Sequence, residues 1–148
     1  MRLIKWLGNN YFGKIFGVTK AQKILFICYG IYLAQTGKEM FEETPQAWPF
    51  GPVFPSTYHF YEQIPWGNLS EEEKEKYESN PEALKIVARV VSQLHGFSAT
   101  RLSDWSHRDG SPWAVTIFTD GKRQKWGTTI DDENTKAFFQ NANWKHGL

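Results

Sequence analysis

Hydrophobic residues recur at helical spacing over most of the chain. The strongest run is Ala21, Ile24, Leu25, Ile27, Cys28, Ile31, Tyr32 and Leu33, which leaves almost no polar face. A helix that is apolar nearly all round is a buried one, so this run predicts a central helix over about residues 19–36. Thr19-Lys-Ala-Gln22 has the form of a capping box and is expected to open it, with Thr19 as N-cap. Gly37 is placed to stop it. From Gly37 to Pro55 the helical period vanishes. Pro45, Pro49, Pro52, Pro55 and Gly51 impose extended and turn geometry there. A small β-hairpin or irregular extended segment is expected over about residues 39–50, carrying Phe41 and Trp48.

Further along, local start signals recur. A helix is expected from about Pro55 to Gln63, with Tyr58 and Tyr61 three apart. Ser70-Glu-Glu-Glu73 is a second capping box, and the charge run from Glu71 to Glu78 reads as a solvated face. Asn80-Pro81 reads as cap and first residue of a helix whose apolar stripe is Leu84, Val87, Val91 and Leu94. Ser98 caps a short helix through about Ser106, and Ser111-Pro112 opens another through about Phe118. Asp120-Gly121 is a turn, followed by an extended segment at about 123–130. Asp131 caps a last helix bearing Ala137, Phe138 and Phe139. The expected fold is mainly α: a single compact helical domain over residues 1–148, built around the buried helix.

Charge narrows the class of partner. Lys and Arg number 17 against 16 Asp and Glu, a net charge of +1. Binding to nucleic acid or an anionic membrane normally requires a basic excess, so neither is the expected partner. The longest apolar stretch, Ile24 to Ala34, is too short to span a bilayer, and the N-terminal residues lack the pattern of a signal peptide. The single cysteine, Cys28, sits in an apolar run and reads as an inert buried thiol of a cytoplasmic protein. Four histidines, at 59, 95, 107 and 146, have no metal-ligand spacing, so neither a metal nor another cofactor is expected. What the chain does have is aromatic mass: 7 Trp, 6 Tyr and 11 Phe, or 16%. That exceeds what a core of this size needs and suggests an interface.

Two segments become recognisable together. The first is Lys23-Ile-Leu-Phe-Ile-Cys-Tyr-Gly-Ile-Tyr-Leu33, then Ala47-Trp48, Gly51-Pro52-Val53 and Tyr58. The second is Leu69-Ser70, Gly96-Phe-Ser98, Leu102, Ser106-His107 and Ser111-Pro112-Trp113, with Ile130 to Glu133 and Phe138-Phe139 completing the order. This order resembles the Panacea domain, also called the SocA-like or phage-associated GepA-type antitoxin domain. The sequence departs from the family pattern at Pro49 and at Ser79-Asn80-Pro81, which interrupts what is commonly one helix. The resemblance implies an antitoxin and not an enzyme. Its partner would be a cognate protein toxin encoded next door and neutralised by direct binding. In one branch of the family the antitoxin also delivers its toxin to a cytosolic protease. A phage or host-defence interaction protein without a toxin is a further reading.

Residues of two kinds follow from this. Trp48, Gly51, Pro52, Val53, Ser111, Pro112 and Trp113 are motif positions expected to be structural, making fixed turns and packing corners. Trp66, Trp126, Trp144, His107 and Trp113 are the candidate partner-binding residues, since tryptophan dominates interface hot spots. Trp6, like Trp66, Trp126 and Trp144, lies outside the motif positions. His107 has three readings: a hydrogen bond across the Asp109-Gly110 turn, a binding hot spot, or a general base beside Asp104 or Asp109. Lys122-Arg-Gln-Lys125 beside Trp126 combines cations with a stacking platform, but four residues on a near-neutral chain read as a solvated turn.

Overall fold

In the computed structural model, which describes all 148 residues, the chain opens with a helix that the hydrophobic pattern leaves unread, α1 (Arg2–Phe12). No side chain caps its start, and Leu3, Ile4 and Leu7 form its buried face. The central helix follows as α2 (Val18–Thr36), buried without a break from Ala21 to Leu33. It ends at Gly37, which takes the left-handed conformation at φ 72°. Its start corrects the expected capping box. Gly17, not Thr19, is the N-cap, and no side chain caps the helix. Gln22 is engaged elsewhere: its Oε1 accepts from the Phe54 N–H at 2.9 Å and its Nε2 donates to Thr57 Oγ1 at 3.0 Å. A fully buried amide is held by tertiary partners in preference to a local one.

The hairpin consists of β1 (Gln46–Trp48) and β2 (Gly51–Val53), antiparallel about a Pro49-Phe50 turn. It lies later than the expected 39–50, because the stretch before it carries Phe41 into the core against Tyr29 and Phe54. Next come α3 (Pro55–His59), a 3-10 turn over Tyr61–Gln63, and α4 (Glu71–Glu78). Ser70 and Glu73 form the full capping box, and the Arg2 guanidinium meets Glu73 at 2.9 Å. The break at Ser79-Asn80 separates α4 from α5 (Pro81–Leu94), with the Asn80 side chain capping the latter. α6 (Ala99–Ser106) and α7 (Pro112–Ile117) begin under Ser98 and Ser111. The extended stretch expected at 123–130 is divided. β3 (Phe118–Thr119) and β4 (Lys122–Arg123) form a second hairpin, whereas β5 (Thr128–Thr129) joins the first sheet in the order β2-β1-β5. α8 (Asp132–Gln140), capped by Asp131, is the last helix.

The architecture is mainly helical, with α2 in the middle and α8, α5, α6, α1 and β2 against it. Gly30 explains how closely α8 sits. A Cβ there would fall within the Phe139 ring, so glycine is required by space and not by backbone conformation. Tyr29 ties the same pair of helices by donating to Asp132 Oδ1 at 2.7 Å. A separate small core of Ala47, Trp113, Ala114, Ile117 and Ile130 joins the sheet to α7. The tail after α8 is also fastened: Trp105 Nε1 donates to the Trp144 carbonyl at 3.0 Å, and Arg108 donates to the carbonyls of Asn143 and His146.

Candidate partner-binding surface

The first hairpin is held from beneath by a lysine. Lys23 projects from α2 and is 0% exposed. Its Nζ donates to the Pro52 carbonyl at 2.9 Å, and burial lowers its pKa from 10.5 to about 7. Gly51 lies directly over it at φ 113°, a conformation that disfavours any side chain, and a Cβ there would strike both Ser106 Oγ and the Lys23 stem. Ser103 Oγ donates to the Phe50 carbonyl at 2.8 Å, which fastens the hairpin tip to α6. Below this the α6–α7 corner is closed by Ser111, whose Oγ donates to the Ser106 carbonyl at 2.7 Å and accepts from the Ala114 N–H.

His107 does not bond across the Asp109-Gly110 turn. The turn is closed by Ser111 N–H to the Arg108 carbonyl at 3.1 Å, and the imidazole instead lies 4.1 Å from the Trp113 ring, centroid to centroid. Its Nε2 is buried with no hydrogen-bond partner; the Pro49 carbonyl favours the protonated ring without the geometry of a bond. Burial first, and the Lys23 charge second, hold its pKa below the ordinary histidine value. A base in this position has no nucleophile paired with it.

Outward from this corner runs a connected aromatic strip. Tyr58 and Trp48 meet edge to face at 4.8 Å. The Trp48 carbonyl accepts from Trp113 Nε1 at 2.7 Å. Trp113 then stacks on Trp126 at 6.2 Å with 26° between planes, and meets Phe118 edge-on at 6.2 Å. The Arg123 guanidinium carbon lies 4.7 Å over the Trp126 ring. Phe50 at the hairpin tip is 68% exposed, Phe118 56% and Trp126 43%. The strip thus rests on rigid elements while keeping large apolar surface in water.

Among the candidate residues, Trp113, Trp126 and His107 come together here with Trp48, Gly51, Pro52, Val53, Ser111 and Pro112. Trp66 and Trp144 lie elsewhere. Trp66 is half-buried against Phe16 and Tyr61, under the Lys5 ammonium. Trp144 is half-buried against Trp105 and Phe139, and Trp6 likewise packs on the core. Phe118 belongs to the strip and Phe50 stands exposed at the hairpin tip beyond Trp48, neither singled out in the sequence, whereas Arg123 is part of the Lys122–Lys125 cluster that reads in the sequence as a solvated turn. Two aromatics flanking turn residues, at Phe50 and Phe118, were the available signal. The largest cavity, about 680 Å³ between α1, α5 and the loop at Met40 and Phe41, includes no strip residue. No group of three or more His, Cys, Asp or Glu residues is placed to hold a metal ion. No helix is long and apolar enough to cross a membrane.

Residues 22–114 match the family described as Antitoxin SocA-like, Panacea domain. The chain belongs to that family. It is also similar to Antitoxin SocA of Caulobacter vibrioides (strain NA1000 / CB15N), at 28% identity over 130 residues covering 80% of this chain and 69% of that protein. No solved structure matches it. The span matched by the Panacea family runs from Gln22 through Ala114. It therefore includes Lys23, the first hairpin, Tyr58 and the α6–α7 corner, while Phe118, Arg123 and Trp126 lie beyond it. The family points to a non-enzymatic role and to a toxin partner.

Proposed function

We propose that this protein, with residues 1–148 acting as one domain, is a cytoplasmic antitoxin that neutralises a cognate protein toxin by direct binding. The observation that carries the reading is that the Panacea motif residues build the corner from which the exposed aromatic strip projects. Lys23, Gly51, Pro52, Ser111 and Trp113 fix the scaffold; Phe50, Phe118 and Trp126 present the contact area. Aromatic side chains held on rigid elements lose little freedom on binding, which favours affinity. Trp113, Trp126 and His107 are the partner-site residues this assigns to the strip. Trp66 and Trp144, built into the core's periphery, take a secondary place. The half-buried His107, whose Nε2 has no hydrogen-bond partner, supports binding, not catalysis, as the mode of action.

Co-expression with the product of the neighbouring reading frame tests this. The neighbour alone should arrest growth, this protein should restore it, and the two should co-purify. Trp126→Ala should weaken the complex about 30-fold, equivalent to about 2 kcal/mol for a central hot spot, with unchanged thermal stability. A neighbour that is harmless alone, or a toxic one that forms no complex, rejects the reading.

A further inference from the structure

The strip carries charge as well as aromatic surface, and the charge is mostly of one sign. Lys122, Arg123 and Lys125 are close in sequence to Trp126, with Asp120 the single acid between Phe118 and Gly127. None of the three cations has a carboxylate within ion-pair distance, the chain's ion pairs being Arg2–Glu73 and Lys74–Glu71. On a protein whose net charge is +1, this is a local concentration of positive charge set against exposed aromatic rings. The acidic counterpart within the chain, the carboxylate run of α4, is partly committed to Arg2 and Lys74.

We infer that the strip receives an acidic segment of the partner protein, in which carboxylates flank a large apolar side chain. This rests on reading the strip as the partner surface. The apolar side chain packs against Phe118 and Trp126, and the carboxylates face Lys122, Arg123 and Lys125. Complementary rim charges steer encounter and select against basic partners, while the desolvated aromatic centre supplies most of the affinity. A nucleic acid fits less well. Three cations release few counterions, and the Trp126 ring is already engaged by Trp113 and Arg123, which leaves less π-face for a base.

The test is selection of peptides from a random phage-displayed library on the intact protein, followed by titration of the best peptide. Enriched peptides should carry net negative charge around a Leu, Phe or Trp. The variant Lys122→Glu/Arg123→Glu/Lys125→Glu should bind the best peptide at least about tenfold more weakly, and raising salt should weaken the wild type several-fold. Trp126→Ala should weaken it too. Enrichment of neutral or basic peptides, no enrichment, equal binding by the charge-reversed variant, or tighter binding of an oligothymidylate at physiological salt each overturns the inference. The two failures are separable. Neutral selection with toxin neutralisation intact rejects the acidic segment alone; acidic selection without any toxin to neutralise rejects the antitoxin reading alone.

Discussion

Replacing Lys23 with Met removes a full charge from beneath the hairpin while keeping most of the side chain's volume. In the unfolded chain the ammonium holds its proton to about pH 10. In the folded protein it is wholly buried, has no carboxylate partner and has its pKa lowered from 10.5 to about 7. Between those two values folding expels a proton, so stability rises with pH by about 1.4 kcal/mol per pH unit. Below pH 7 the charge stays on in both states, and its burial costs the full difference, about 4–5 kcal/mol. Met avoids that cost but gives up the Pro52 hydrogen bond, worth about 1 kcal/mol, and leaves its carbonyl less well satisfied. Lys23→Met should therefore be about 2–3 kcal/mol more stable than wild type near pH 6.5, and its advantage should shrink by about 2 kcal/mol by pH 8.5. Urea unfolding followed by tryptophan fluorescence, in steps across that interval, measures both. The N-terminal amine also has a lowered pKa, but it is present in both proteins and cancels in the difference. Parallel curves for the two proteins would refute the reasoning, because a Lys23 that does not titrate differently on folding is not desolvated as described.

The same substitution should raise the His107 pKa, since the Lys23 charge helps hold it down; an unmoved imidazole resonance in an NMR titration would separate the two groups. Gly30→Ala should lower stability by about 1–3 kcal/mol because its methyl meets the Phe139 ring, despite alanine's better helix propensity of about 1 kcal/mol. Thermal unfolding decides it, and a raised Tm would mean that α8 does not sit on Gly30. Gly30→Ala combined with Phe139→Leu should recover part of the loss. The Cys28 thiol, fully buried and pushed up to about 12, should resist a thiol reagent near pH 8 until urea unfolds the protein; rapid labelling of the native state would contradict its burial.

How far the sequence could be read depends on how far each signal reaches along the chain. Ser70, Asn80, Ser98, Ser111 and Asp131 cap helices that begin one residue later, and each acts through a bond to the backbone two or three residues on. Such signals are complete within a short window. The Thr19 box has the same form and fails, because Gln22 is claimed by Phe54 and Thr57 more than thirty residues away. Helix α1 has no side chain capping its start and a three-residue apolar face, so only its left-handed stop at Gly13 is a local signal and its beginning is held by packing that no local window contains. Those misplaced starts and boundaries leave the mainly helical architecture around α2 intact, since the all-round apolar run that defines it is itself local.

The surface was harder, for a related reason. Tryptophan content announces an interface without saying which rings face water, because burial depends on partners distant in sequence. Trp144 is covered by Trp105 and Phe139, and Trp66 by Phe16, Tyr61 and Lys5, whereas Trp126 is stacked on Trp113 and left 43% exposed. Lys23 shows the converse. A lysine amid Ala21, Ile24, Leu25 and Ile27 has no polar face to reach, a signal of a buried charge that the hydrophobic pattern carried and the sequence reading passed over. Its duty is to hold Pro52, and with Gly51 above it and Ser103 gripping Phe50 it sets where the hairpin tip stands. The motif residues are therefore legible as a pattern because they serve the scaffold. On the proposed reading, the contacts that choose one toxin over another fall on Phe118, Arg123 and Trp126, on short strands and turns whose own sequence imposes nothing on the helices beneath.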